Sequence, residues 1–137
     1  MEHVSLDLAW KLHDVGYDKS DGECLIMPFE TFTIEVSDGV ITFEERCIYT
    51  KVFQDISDYI EKFMYIPKID CVLEWFRNEK DIYCLPYFDL ENKNWFFCIL
   101  SVDADLFKSE SIYQSYEDAA KAGIEYVIDL GLCNNNN

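Results

Sequence analysis

Ile82-Tyr83-Cys84-Leu85-Pro86-Tyr87-Phe88 and, beyond a polar gap, Trp95-Phe96-Phe97-Cys98-Ile99-Leu100-Ser101-Val102 decide the fold. Both runs are rich in aromatic and branched apolar residues. The polar loop 89–94 joins them, so they read as two antiparallel strands. An antiparallel sheet with one wetted face alternates apolar with polar residues. Here neither parity is polar. In the first run Ile82, Cys84 and Phe88 share a face and Tyr83, Leu85 and Tyr87 the other. In the second, Phe96, Cys98, Leu100 and Val102 oppose Trp95, Phe97 and Ile99. Helices account for one side. The other is either covered by the N-terminal hairpin or its neighbours, or left partly open. In the open case Tyr83, Tyr87, Trp95 and Phe97 form an aromatic patch for a partner protein or a second copy of the chain.

The flanking sequence supplies the helices. Ser5 caps a short helix with Leu6, Ala9, Trp10 and Leu12 on its apolar side, and Gly16 ends it. Phe32, Ile34 and Val36 alternate through 31–36. Ser37-Asp38-Gly39 turns the chain into 40–43, and the pair reads as a β-hairpin. Phe53, Ile56, Ile60 and Phe63 recur at helical spacing, which predicts a helix over 51–63. Pro67 opens the next, with Ile69, Val72, Leu73 and Phe76 along one stripe. Residues 109–113 are expected to add a third strand to the meander. Ser115-Tyr116-Glu117-Asp118 resembles a capping box, followed by a helix that faces inward with Ala120, Gly123, Ile124, Val127 and Ile128. Glu117 and Lys121 are expected to pair across its other side. The expected fold is α+β, a three-stranded antiparallel meander plus an N-terminal hairpin packed with about four helices. Residues 1–133 read as one domain, and 134–137, four asparagines, as a polar tail.

Charge removes whole classes of function. The 137 residues carry 27 Asp and Glu against 11 Lys and Arg, a net −16. With 16% aromatic residues and half the chain hydrophobic, this is no disordered acidic segment. Such a chain is repelled by phosphates and by anionic membranes, which argues against direct nucleic-acid or membrane binding. Base stacking on the aromatic strands fails for the same reason, since sheets that do so sit in basic surroundings. Residues 1–66 hold 14 acids and 5 bases (−9) and residues 67–137 hold 13 and 6 (−7), so the charge is spread along the chain.

Met1-Glu2-His3-Val4-Ser5 has no cationic stretch before an apolar run, and no apolar run approaches bilayer length, so a cytoplasmic protein is expected. Cys24, Cys47, Cys71, Cys84, Cys98 and Cys133 contain no C-x-x-C spacing and mostly sit in apolar runs. They read as reduced, buried small hydrophobes.

Chemistry is scarce. The five glycines are isolated, so neither a P-loop nor a dinucleotide fingerprint can be written, and there is no G-x-S-x-G elbow. His3 and His13 project about 280° apart around a helix, which argues against a shared zinc. Asp103-Ala104-Asp105 and the pair Asp55 and Asp58 read as solvated charge. The loop 89–94 places Lys93 where a calcium loop needs an oxygen, and lacks its glycine. No catalytic residue, metal ligand or cofactor is assigned.

Ala9-Trp10-Lys11-Leu12 running to Gly16-Tyr17-Asp18, then Pro67 to Leu73-Glu74-Trp75-Phe76-Arg77, then Tyr113 to Tyr116-Glu117-Asp118-Ala119-Ala120 form a set. The set resembles a group of small proteins encoded by gut Bacteroidetes and their phages. There an A-x-x-L-x-x-x-G-F-D start precedes a P-x-x-x-x-x-L-x-W-L-R helix and a Y-x-x-Y-E-E-A helix. Tyr17 and Phe76 replace that group's Phe and Leu. The resemblance covers most of the chain outside 24–55. The group has no assigned activity, so it implies a mobile-element setting and no functional residues. The expected function is therefore a non-enzymatic acidic protein-interaction domain, an accessory protein of a phage or mobile element. Two alternatives stand beside it: a DNA-mimic inhibitor of a host nucleic-acid-binding or defence protein, and a small enzyme with an unrecognised site.

Overall fold

Ser5 starts the first helix, α1 (Leu6–Asp14), by accepting the Leu8 N–H on its hydroxyl at 3.2 Å. Gly16 ends it in the left-handed region at φ +92°, and Tyr17 N–H closes back on the Leu12 carbonyl at 2.9 Å. The computed structural model describes residues 2–18, 24–50, 59, 61–101 and 104–134, with backbone alone at 104–106 and 134. After α1 come β1 (Leu25–Pro28), β2 (Phe32–Val36), β3 (Gly39–Phe43), β4 (Tyr49–Thr50) and β5 (Phe63–Ile66). The second half runs α2 (Ile69–Trp75), a π-helical turn (Phe76–Lys80), β6 (Ile82–Asp89), β7 (Asn94–Ser101), β8 (Ala104–Lys108) and α3 (Tyr116–Asp129). A short 3-10 turn, Leu132–Asn134, follows. The architecture is α+β with antiparallel sheets.

The hairpin forms where expected, with Ile34 opposite Ile41 and Gly39 at φ +139° in the turn. Three expectations change. First, most of the helix expected over 51–63 lies outside the described residues, and its last residue, Phe63, begins strand β5 instead. Pro67 disfavours helical backbone just before it, and β5 pairs antiparallel with β1, Met27 against Met64, which buries both. A sheet of order β4-β1-β5 results, beyond the meander and hairpin that were expected. Second, the third strand of the meander is Ala104–Lys108, with Ala104 opposite Ser101. Residues 109–113 still run beside β7. Ser109 N–H donates to the Phe97 carbonyl at 2.9 Å, and Tyr113 exchanges two backbone hydrogen bonds with Trp95 at 2.8 and 2.9 Å. Third, the described residues hold three α-helices rather than about four.

The main core lies between α1, α2 and α3 on one side and β5, β6 and β7 on the other. Leu12, Met64, Ile69, Val72, Phe76, Ile99, Ile124 and Val127 are among its most enclosed side chains. α3 lies close over β6 and β7 because Gly123 has no side chain: a Cβ there would stand 2.5 Å from the Cys84 sulfur and 3.2 Å from the Phe97 ring. Ser115 caps α3 by accepting the Asp118 N–H at 3.0 Å. Lys121 pairs with Glu2 at 2.7 Å and with Asp118 at 4.0 Å, so it ties α3 to the N-terminal segment rather than to Glu117. A second cluster of Ile26, Ile34, Phe43 and Phe63 holds the β2–β3 hairpin on the smaller sheet. Among the described residues no helix is long and apolar enough to cross a membrane.

Candidate functional site: the outer face of the meander

Cross-strand register fixes which side chains share a face. Tyr83 lies opposite Leu100, Leu85 opposite Cys98 and Tyr87 opposite Phe96, while Cys84, Pro86 and Phe88 face Ile99, Phe97 and Trp95. Tyr83 and Tyr87 are therefore on one face, and Trp95 and Phe97 on the other. The structure divides the expected set of four. Phe97 is only 3% exposed beneath α3, with its ring 5.8 Å from that of Tyr126. Trp95 is half-buried and stands edge-on to Tyr116 at 5.7 Å.

The division originates in the loop. Four residues, Leu90 to Lys93, separate the paired Asp89 and Asn94, and an even loop sets odd positions of β6 against even positions of β7. The loop is built for that length. The Asp89 carbonyl accepts the Lys93 N–H at 2.8 Å, and Lys93 takes φ +56°. The Asp89 carboxylate accepts the Asn92 side-chain amide at 2.8 Å and the Glu91 N–H at 3.0 Å. Those bonds, led by Asn92, hold its carboxyl below the usual range, with the nearby Lys108 charge adding to them.

Tyr83, Leu85, Tyr87 and Leu100 are 40%, 44%, 41% and 46% exposed, and they form one apolar strip across β6 and β7. Phe96 and Cys98, opposite Tyr87 and Leu85 on the same face, are buried. The Lys108 ammonium rests over the Phe96 ring, 4.5 Å from its centroid. The Cys98 thiol, ahead of desolvation and the Asp89 carboxylate, pushes the Tyr87 hydroxyl up to about 12. At the loop end of the strip two shallow hollows of about 470 and 490 Å³ share Asp89, Phe96 and Lys108 as walls. One extends to Ser109, Glu110 and Ile112, the other to Tyr87, Leu90 and Glu91. Leu90 and Ile112 stand open to solvent at the far ends of this groove.

No family model, curated protein or solved structure matches this chain.

The remaining chemical candidates do not converge on the strip. Burial pushes the Cys84 thiol up to about 12 and the Cys133 thiol up to about 11, which leaves both protonated and unreactive at neutral pH. Cys24 and Cys98 are also buried, while Cys47 and Cys71 are half-exposed. His13 sits against Trp10 and Phe29, with ring centroids 6.1 and 5.2 Å away. His3 belongs to a bridge with Lys68. Asp55, Asp58, Asp103 and the Asp105 side chain lie outside the described residues. Among the described residues no three of His, Cys, Asp and Glu gather as a metal site. Tyr83, Leu85 and Tyr87 share a face as the alternation within β6 implies, and the structure sets Leu100 and the Phe96–Lys108 pair beside them in place of Trp95 and Phe97. The even loop was the available signal.

Proposed function

We propose that this chain is a non-enzymatic protein-interaction domain that docks a partner on the outer face of its meander. One observation carries the reading: Tyr83, Leu85, Tyr87 and Leu100 form an exposed strip on a sheet whose opposite face packs Cys84, Phe97 and Ile99 into the main core. A strip of large apolar and aromatic side chains on a rigid element supplies the central contacts from which interfaces draw most of their energy. The partner is a different protein with a basic rim, because two copies at −16 each repel one another. An accessory role in a phage or mobile element accords with the sequence resemblance, and a cytoplasmic setting with the reduced cysteines.

A carboxylate mimic of DNA remains the second reading, favoured by the net charge alone. It would engage its target through rows of acids and not through Leu85. Affinity capture from a bacterial lysate at low and high salt, with wild type, Leu85→Asp and Val40→Asp, tests both. Val40 is an exposed position on the distant hairpin. The expected result is a partner lost with Leu85→Asp and kept with Val40→Asp. Capture indifferent to Leu85→Asp but abolished by salt overturns the docking face in favour of mimicry.

A further inference from the structure

We infer that the groove at the loop end of the strip receives an arginine side chain from the partner, with the guanidinium stacked on Phe96 in the place Lys108 now occupies. The inference rests on the outer face being the docking surface and adds the chemistry of its anchor. The structure itself shows what the Phe96 wall accepts, since a cation already sits 4.5 Å from its ring centroid. That cation comes from a long side chain at the end of β8. Among the described residues it makes no ion pair within 4.0 Å, so its contact there is with the ring. The hollow that Phe96 and Lys108 line also has the acids Asp89 and Glu110, the apolar Ile112 and the polar Ser109 in its walls. Asp89 is kept ionised by its loop hydrogen bonds. Glu110 is exposed at the rim.

Two carboxylates beside an aromatic face suit a planar cation with a carbon stem. The stem covers Ile112, the plane stacks on the ring, and the N–H groups meet the carboxylates. A lysine offers no plane and holds its water more tightly. The Ser109 hydroxyl is already engaged, accepting the Phe97 N–H at 3.1 Å and donating to the Ser111 carbonyl at 3.1 Å. Specificity therefore comes from the ring and the acids. When the guanidinium enters, Lys108 swings off Phe96 into solvent. The two hollows then join as one groove running from Leu90 to Ile112.

The test is an NMR titration of the full chain with acetyl-Leu-Arg-Leu-amide, and with its citrulline counterpart of the same shape but no charge. The expected result is amide shifts centred on Phe96, Lys108, Ser109 and Glu110, and binding weaker by about tenfold or more for citrulline. Glu110→Gln, an exposed change that leaves the loop intact, weakens the arginine peptide several-fold. Lys108→Ala retains or strengthens its binding. Equal binding of the citrulline peptide, shifts spread over the whole acidic surface, or loss of binding in Lys108→Ala overturns the inference. If the arginine peptide fails while Leu85→Asp still abolishes partner capture, only the anchor is wrong. If Leu85→Asp has no effect on capture, the docking face itself is wrong.

Discussion

A methyl group added at position 123 meets the Cys84 sulfur at 2.5 Å and the Phe97 ring at 3.2 Å, and neither neighbour is the loose end of a long side chain. Gly123→Ala gains helix propensity of up to about 1 kcal/mol. Overpacking costs about 1–3 kcal/mol, so the net expectation is destabilisation by up to about 2 kcal/mol in urea unfolding. Adding Cys84→Ala to that variant should recover part of the loss, because it removes the atom in conflict. An additive double mutant would refute the close approach. Asp89 is the other residue whose chemistry shapes the site. Its folded carboxyl titrates below the ordinary 3.8, so the stabilisation it lends is present above that value and is lost as pH falls through the folded one. Asp89→Asn should keep the loop acceptor but flatten the acid limb of the thermal midpoint plotted against pH. An unchanged acid limb would show that the carboxylate does not anchor the loop.

At the scale of elements, the two faces of the meander make opposite demands on substitution. Phe97→Ala opens a cavity beneath α3 and should cost about 3–5 kcal/mol. Leu85→Lys, on the open strip, should change stability by less than about 1 kcal/mol. Urea denaturation of both variants checks the register directly, because a shift of one residue would put Leu85 and Phe97 on the same face and make the two results alike. The same contrast shows what the sequence disclosed. The runs at 82–88 and 95–102, the hairpin at 31–43 and the capped helices at Ser5 and Ser115 are local patterns of period or capping, and local patterns are legible. β5 was not, because Phe63 to Ile66 becomes a strand only by meeting β1 nearly forty residues earlier in the chain. The pairing of Tyr83 with Leu100 was hidden for a related reason. Alternation assigns residues to faces within one strand, whereas the loop decides which face meets which. A four-residue loop and a five-residue loop look alike in composition and give opposite answers. The hollow at Phe96, Asp89 and Lys108 assembles three separate strand ends and leaves no motif in any of them.

The whole molecule couples an apolar strip to a net charge of −16, and the two act against each other in self-association. Apolar surface of this kind pulls copies together, while like charge keeps them apart over roughly the 10 Å Debye length of 0.1 M salt. Raising the salt to about 1 M shortens that length to about 3 Å and removes most of the repulsion without weakening the apolar attraction. Sedimentation velocity should therefore find a monomer at low salt and a weak, reversible dimer at high salt, and Leu85→Asp should abolish the dimer. The thermal midpoint should also rise with salt, since self-repulsion within one compact chain is screened in the same way. A tight dimer already present at low salt would reverse the argument. It would mean that the strip is complementary enough to itself to overcome 16 like charges on each copy. The occupant of the outer face would then be a second copy of this chain rather than a basic partner.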